Sequence, residues 1–200
     1  MGRASRAKKQ TRATPMDRRL LYQFQCQSLL LCDFILIAAE DLTSALTTPR
    51  GYGQTYIFYC VQGLVNAAAN LSKVLWGPGG IRALERLEVR QSIDVTDDSP
   101  LRQVGMRNHF EHFDERLEQW LSTSKRHNAA DVIVGPASAI RDLDDIDRFR
   151  IFDDVTWELF FWGERFDLRG IVSEVQLVAP ALRAIVAAGP QRAVEPTPEE

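Results

Sequence analysis

Two long runs of helical periodicity, each closed by residues that a helix cannot cross, set the architecture open to this chain. From about residue 16 to 46, Leu20, Leu21, Phe24, Leu30, Leu31, Phe34, Ile35 and Ile37 recur at helical spacing before Pro49-Arg50-Gly51 breaks the run. From about residue 52 to 76, Ile57, Tyr59, Val61, Leu64, Val65, Leu71, Val74 and Leu75 repeat the pattern up to a Gly77-Pro78-Gly79-Gly80 stop. Two such helices on a short link form an antiparallel hairpin. Ala67-Ala68-Ala69 lets a neighbour come close. Gln62, Asn66, Asn70 and Lys73 draw a polar stripe down one face, the ordinary sign of a side turned to water.

Beyond the stop, a short helix around residues 81 to 90 leads to a polar break at 94 to 100. Pro100 then opens a third long helix, expected to run to about Ser124, since a proline in the first turn withholds no needed N–H. The period changes next. Val132-Ile133-Val134, Phe149-Arg150-Ile151-Phe152 and Val155 through Phe161 read as strands of a small antiparallel sheet. Residues 169 to 188 supply a last helix, expected to kink or restart at Pro180. The fold class is therefore mainly α: an up-down helical bundle with a small antiparallel β insertion at about 130–165, before the last helix. A single domain spans 15–189, between a basic leader (1–14) and a loose acidic tail (190–200).

With 200 residues, 45% of them hydrophobic, the chain can bury a core without staples. Cys26, Cys32 and Cys60 are odd in number, form no Cys-x-x-Cys pair and lie in apolar helical runs, which fits reduced core cysteines in a cytoplasmic protein. Gln23, Gln25, Gln27, Ser28 and Asp33 interrupt the segment behind the basic leader, so it reads neither as a signal peptide nor as a membrane span. A net charge of −3 argues against gripping long duplexes by counterion release, while leaving room for a local phosphate site.

The chemistry concentrates in Arg107-Asn108-His109-Phe110-Glu111-His112. On a regular helix, at about 100° per residue with Arg107 as zero, Phe110, Phe113, Leu117, Trp120 and Leu121 fall between about 220° and 320°. Asn108, Glu111, His112 and Glu115 fall between about 40° and 140°. The first set is expected in the core, and the second toward solvent, a cleft or another chain. A fixed cation beside a titratable imidazole can act on a phosphate. Arg102 and His109 satisfy a similar spacing, but His109, at about 200°, lies at the rim of the apolar side and reads as a packed histidine.

This arrangement resembles the HEPN superfamily, whose helical bundles carry an Arg-x(4 to 6)-His motif with a polar residue after the arginine; here these are Arg107, Asn108 and His112. The resemblance covers the six-residue motif closely, the order of long helices loosely and the sheet insertion hardly at all. It implies a metal-independent endoribonuclease, without cofactor, working as a homodimer whose two motif helices line a shared cleft. In that reading Arg107 holds the phosphate, Asn108 orients phosphate or imidazole, and His112 moves the proton. Glu111 fixes the histidine's tautomer or restrains Arg107. Asn70 and Lys73 join as substrate-binding residues if their stripe borders the motif helix. The resemblance also implies a role in defence or a toxin-antitoxin system, with an antitoxin or nucleotidyltransferase-like partner. The alternative is a non-catalytic module binding RNA or a partner protein through the same face.

Other chemistries fit less well. His109, His112, Asp114 and Glu115 are close in sequence but point apart on a helix, and no Glu-x-x-His pair on another helix completes a di-metal site. Asp142, Asp144, Asp145 and Asp147 lack the glycine and closing glutamate of a calcium loop, so they are expected on solvated surface. The chain has no nucleophile elbow and no Gly-rich phosphate loop after a strand.

Overall fold

The computed structural model describes residues 15–48, 53–103 and 105–190. The basic leader, the Pro49-Arg50-Gly51 break and nearly all of the acidic tail lie outside them. The fold is mainly helical with one four-stranded sheet.

Helix α1 (Arg18–Thr47) starts where the Asp17 carboxylate accepts the Arg19 and Leu20 N–H groups, at 2.8 and 3.1 Å, satisfying two of the donors that a helix start leaves open. It buries Leu21, Gln25, Ser28, Cys32, Ile35, Ala39 and Leu42, a stripe at spacings of three and four. Helix α2 (Gln54–Trp76) returns antiparallel along it. Its small residues bring the two axes close: a Cβ on Gly63 would lie 4.0 Å from that of Ala38. The stop is made by Gly77, whose φ of +60° suits glycine and whose N–H bonds the Lys73 carbonyl at 2.8 Å.

The helix expected at 81 to 90 is two short ones, α3 (Ile81–Glu85) and α4 (Leu87–Gln91), because Arg86 leaves helical geometry at φ −92° and ψ 0°. This corner is tied back by Arg90. Its buried guanidinium donates to the Leu75 and Ala83 carbonyls at 2.7 and 2.9 Å, and lies 3.4 Å from Asp97. One cation thus serves an end of α2 that has spare carbonyls. Asp97 also accepts Trp76 Nε1–H at 2.8 Å; that bond, with Arg90 and Arg102, holds its carboxyl below the usual aspartate range.

Pro100 does not open the long motif helix. It begins a tight turn, Pro100–Arg102, and the motif region is split into α5 (Gly105–Glu111) and α6 (Phe113–Thr123), with His112 between them at φ −109° and ψ 37°. The backbone ladder carries on across the bend, from His112 N–H to the Asn108 carbonyl and from Arg116 N–H to the His112 carbonyl, both at 3.0 Å. Beyond it Leu117 and Leu121 are exposed, against the expectation that they belong to the core stripe. That expectation rested on one straight helix, whereas α6 meets the rest of the molecule through Phe113 and Trp120.

The sheet runs β1 (Ile133–Val134), β2 (Ile151–Asp153), β3 (Glu158–Phe161) and β4 (Glu164–Asp167), in that order. It is antiparallel in three strands only. β1 pairs with β2 in parallel, Ile133 opposite Ile151, because the chain crosses back through 135–150 instead of turning in a hairpin. The β3–β4 hairpin closes on a two-residue turn with positive φ at Trp162 (50°) and Gly163 (77°), the primed geometry that follows strand twist.

Two buried aspartates hold the insertion. Asp147, expected on solvated surface, has no exposure at all: one oxygen accepts Trp120 Nε1–H at 2.8 Å and the Ser124 hydroxyl at 2.5 Å, tying the insertion to α6. Asp153 accepts the N–H groups of Ala137, Val155 and Thr156 at 2.8, 3.0 and 3.0 Å. Burial alone would raise its carboxyl, but those three amides outweigh it and hold the carboxyl below the ordinary range.

Helix α7 (Leu168–Ala188) begins on Asp167, which accepts Gly170 N–H at 2.8 Å, and continues through Pro180 without restarting. By length and composition it is apolar enough to cross a membrane. Its buried face, Ile171, Val175, Val178 and Leu182, lies in the common core, and Arg183 pairs with Asp33 of α1 at 2.6 Å. Cys32 and Cys60 are buried as expected, and burial beside Asp33 pushes the Cys32 thiol up to about 12.

Candidate functional site

Helix α5 lies against α2, so the amide stripe and the arginine motif share one cavity of about 280 Å³, lined by Gln62, Asn66, Asn70, Arg107, Phe110 and Glu111. The amides come from α2 at intervals of four residues, one per turn. Among the described residues these three amides have no hydrogen-bond partner. Arg107 is half-buried. One of its amino groups donates to the Glu111 carboxylate one turn on, and its Nη1 is buried without a partner. Because Glu111 balances Arg107 and no other charged residue among the described ones lines the cavity, the described lining is polar and close to neutral.

His112 does not line this cavity. It is exposed at the bend, and its Nδ1 lies 3.2 Å from Glu115 Oε1. A carboxylate accepts, so this contact engages Nδ1 as a donor, and Nε2 has no partner among the described residues. Asn108 is exposed and lines no wall of the cavity. Guanidinium and imidazole are thus held by different carboxylates, Glu111 for one and Glu115 for the other.

Of the two α2 residues expected to join the motif, Asn70 borders Arg107 whereas Lys73, exposed one turn further along α2, does not line the cavity. Gln62 and Asn66 belong to the site although the sequence marked them only as part of a wet stripe. Glu115 was legible as the carboxylate three residues after His112, a spacing at which helical side chains meet. His109 is the packed histidine expected. Its ring stacks on Phe161, centroids 4.6 Å apart, and its Nε2 lies 3.0 Å from Glu164 Oε2 at the start of β4. Among the described residues no group of three or more His, Cys, Asp or Glu side chains is gathered as for a metal ion.

No protein-family model, curated protein or solved structure matches this chain.

Proposed function

We propose that the chain is a metal-independent endoribonuclease of the HEPN type, working as a homodimer. The supporting observation is the His112–Glu115 pair: an exposed imidazole five residues beyond Arg107, with Nδ1 engaged by a carboxylate and Nε2 without a partner among the described residues. In the cleavage step the ribose 2′-oxygen attacks phosphorus and the 5′-oxygen leaves, giving a 2′,3′-cyclic phosphate and a 5′-hydroxyl. His112 Nε2 takes the 2′-hydroxyl proton while solvent water protonates the leaving 5′-oxygen, or protonated His112 supplies that proton while water takes the one from the 2′-hydroxyl. Arg107 exchanges Glu111 for the phosphate and balances the charge that gathers there. Glu111 restrains Arg107 before substrate arrives, and Glu115 takes the orienting role toward the histidine. Asn108, exposed beside them, orients the phosphate. DNA, without the 2′-hydroxyl, is spared. A role in defence or toxin-antitoxin systems, with an antitoxin or nucleotidyltransferase-like partner, is carried by the resemblance alone.

A second reading, a non-catalytic module, is favoured by a specific feature: Arg107 is neutralised by Glu111 in a cavity that His112 does not line. The two readings separate on purified protein incubated with mixed RNA in chelator. The enzyme reading expects cleavage, reduced about 10²–10⁴-fold by His112→Ala and about 10²–10³-fold by Arg107→Ala. Intact RNA with the native chain, or undiminished cleavage by either variant, removes the proposed site.

A further inference from the structure

The cavity between α2 and α5 is lined by groups that suit a flat heterocycle better than a phosphate. Its volume of about 280 Å³ lies just below the roughly 300–1,000 Å³ of ordinary small-ligand sites, the scale of one planar ring system and not of a whole nucleotide. Five of its six lining residues are polar, and the sixth, half-buried Phe110, supplies an aromatic ring for stacking. Gln62, Asn66 and Asn70 each carry an amide donor and acceptor with no partner among the described residues. Glu111 adds a carboxylate to the same lining, which repels a phosphate and accepts only from N–H or O–H donors. Single-stranded RNA offers such a heterocycle, since its unstacked bases are read by stacking and by hydrogen bonds to their edges.

We propose that this cavity is the base-recognition subsite of the proposed nuclease and that it takes guanine; the inference rests on the reading that the substrate is RNA. When Arg107 turns to the phosphate, Glu111 loses the cation it holds in the free chain, and a carboxylate beside a polyanion then needs donors from elsewhere. Among the four RNA bases only guanine presents two adjacent donors on one edge, N1–H and the N2 amine, so it alone meets a carboxylate with two parallel bonds. Adenine and cytosine set their amine beside a bare ring nitrogen whose lone pair faces the carboxylate. Uracil has a single N–H between two carbonyls. The guanine acceptors that remain, O6 and N7, take N–H groups from the Asn66 and Asn70 amides. Ribose and phosphate stay outside the cavity, on the segment where Asn108 and His112 are exposed. Helix α2 thereby reads the base with Glu111, and the bend at His112 carries the chemistry.

The test is binding of the full chain to labelled 2′-O-methyl trinucleotides, which lack the attacking hydroxyl and stay intact: UGU beside UAU, UCU and UUU, read by fluorescence anisotropy. UGU is expected to bind roughly tenfold tighter than the other three, as a good bidentate base contact gives. Replacing its guanine by hypoxanthine, which keeps N1–H and O6 but lacks the N2 amine, is expected to lose most of that margin on the native chain. Glu111→Gln, at a side chain 41% exposed, is expected to bring UGU down to the level of the other trimers with the thermal unfolding midpoint unchanged. Equal affinity for all four trimers, no measurable binding of any included, overturns the proposal, as does a guanine preference that survives both the hypoxanthine exchange and Glu111→Gln. Free guanosine binding as tightly as UGU would assign the cavity to a nucleoside and overturn its place in a strand. Cleavage of mixed RNA in chelator keeps the two readings apart. Cuts with no preference for guanine remove the subsite and leave the nuclease, whereas guanine-selective binding in a preparation that cuts no RNA leaves the subsite and removes the nuclease.

Discussion

The bundle of α1, α2 and α7 and the insertion carried between α6 and α7 are stabilised by different means. In the bundle, apolar stripes face one another: Leu64, Val61, Ile35, Leu42 and Leu182 have no exposure, and the few polar side chains buried with them, Gln25, Ser28 and Ser72, are uncharged. In the insertion, strands of two to four residues are too short to hold themselves, and buried carboxylates bind the loops to the frame: Asp147 to Trp120 and Ser124, Asp153 to three backbone amides. Packing of the first kind degrades in proportion to the volume removed. Bonding of the second kind fails group by group, because each lost acceptor leaves donors buried and unpaired.

Substitutions at single sites test that contrast. The largest loss is expected in the bundle: Leu64→Ala removes a fully buried side chain between α1 and α2, at a cost of about 2–5 kcal/mol in denaturant unfolding. A loss below about 1 kcal/mol would mean that the hairpin closes over the gap and is not packed as described. Asp147→Ala comes next, at about 1–3 kcal/mol, since Trp120 Nε1–H and the Ser124 hydroxyl lose their acceptor. Its signature is local: Trp120 fluorescence should shift while far-ultraviolet dichroism at α1 and α2 holds, and a uniform loss of helix would contradict the division. The smallest effect is of pH. The folded Asp153 carboxyl sits below its unfolded value, so its contribution is complete above about pH 4 and is lost as pH falls through the folded value. Asp153→Asn should flatten that part of the acid limb, and an unchanged pH profile would remove the assignment.

The same contrast explains what could be read from the residues in order. Both long helices, the glycine stop of the second and the last helix were legible to within about two residues, because a stripe of Leu, Ile and Val repeats the same message every turn. Cys32, Cys60 and His109 were placed correctly in the interior for that reason. Asp147 was not, since an aspartate among other aspartates looks solvated until Trp120, 27 positions earlier, arrives to donate. The break at His112 was hidden too: nothing in its neighbourhood resembles a helix stop, and the bend belongs to a segment whose aromatic residues must meet Phe149 and Phe161 from a distant sheet. At the site, the joining of Asn70 to Arg107 followed from a polar stripe that borders α5. The separation of Arg107 from His112 follows from the about 140° between positions five apart on a helix, to which the bend adds.

The His109 ring, lying flat on Phe161 with Glu164 at its nitrogen, has a mechanical consequence. Arg107 and His112 are only two and three residues away, one within α5 and the other at the bend that follows it, so the seat of this ring on the β3–β4 hairpin bears on where both are held. At its tip Gly163 lies against the Asp145 side chain, where an added Cβ would come within 2.8 Å of a carboxylate oxygen. The insertion therefore works as a steering link, and a slip of one rung in those two strands would retarget both motif side chains without touching either.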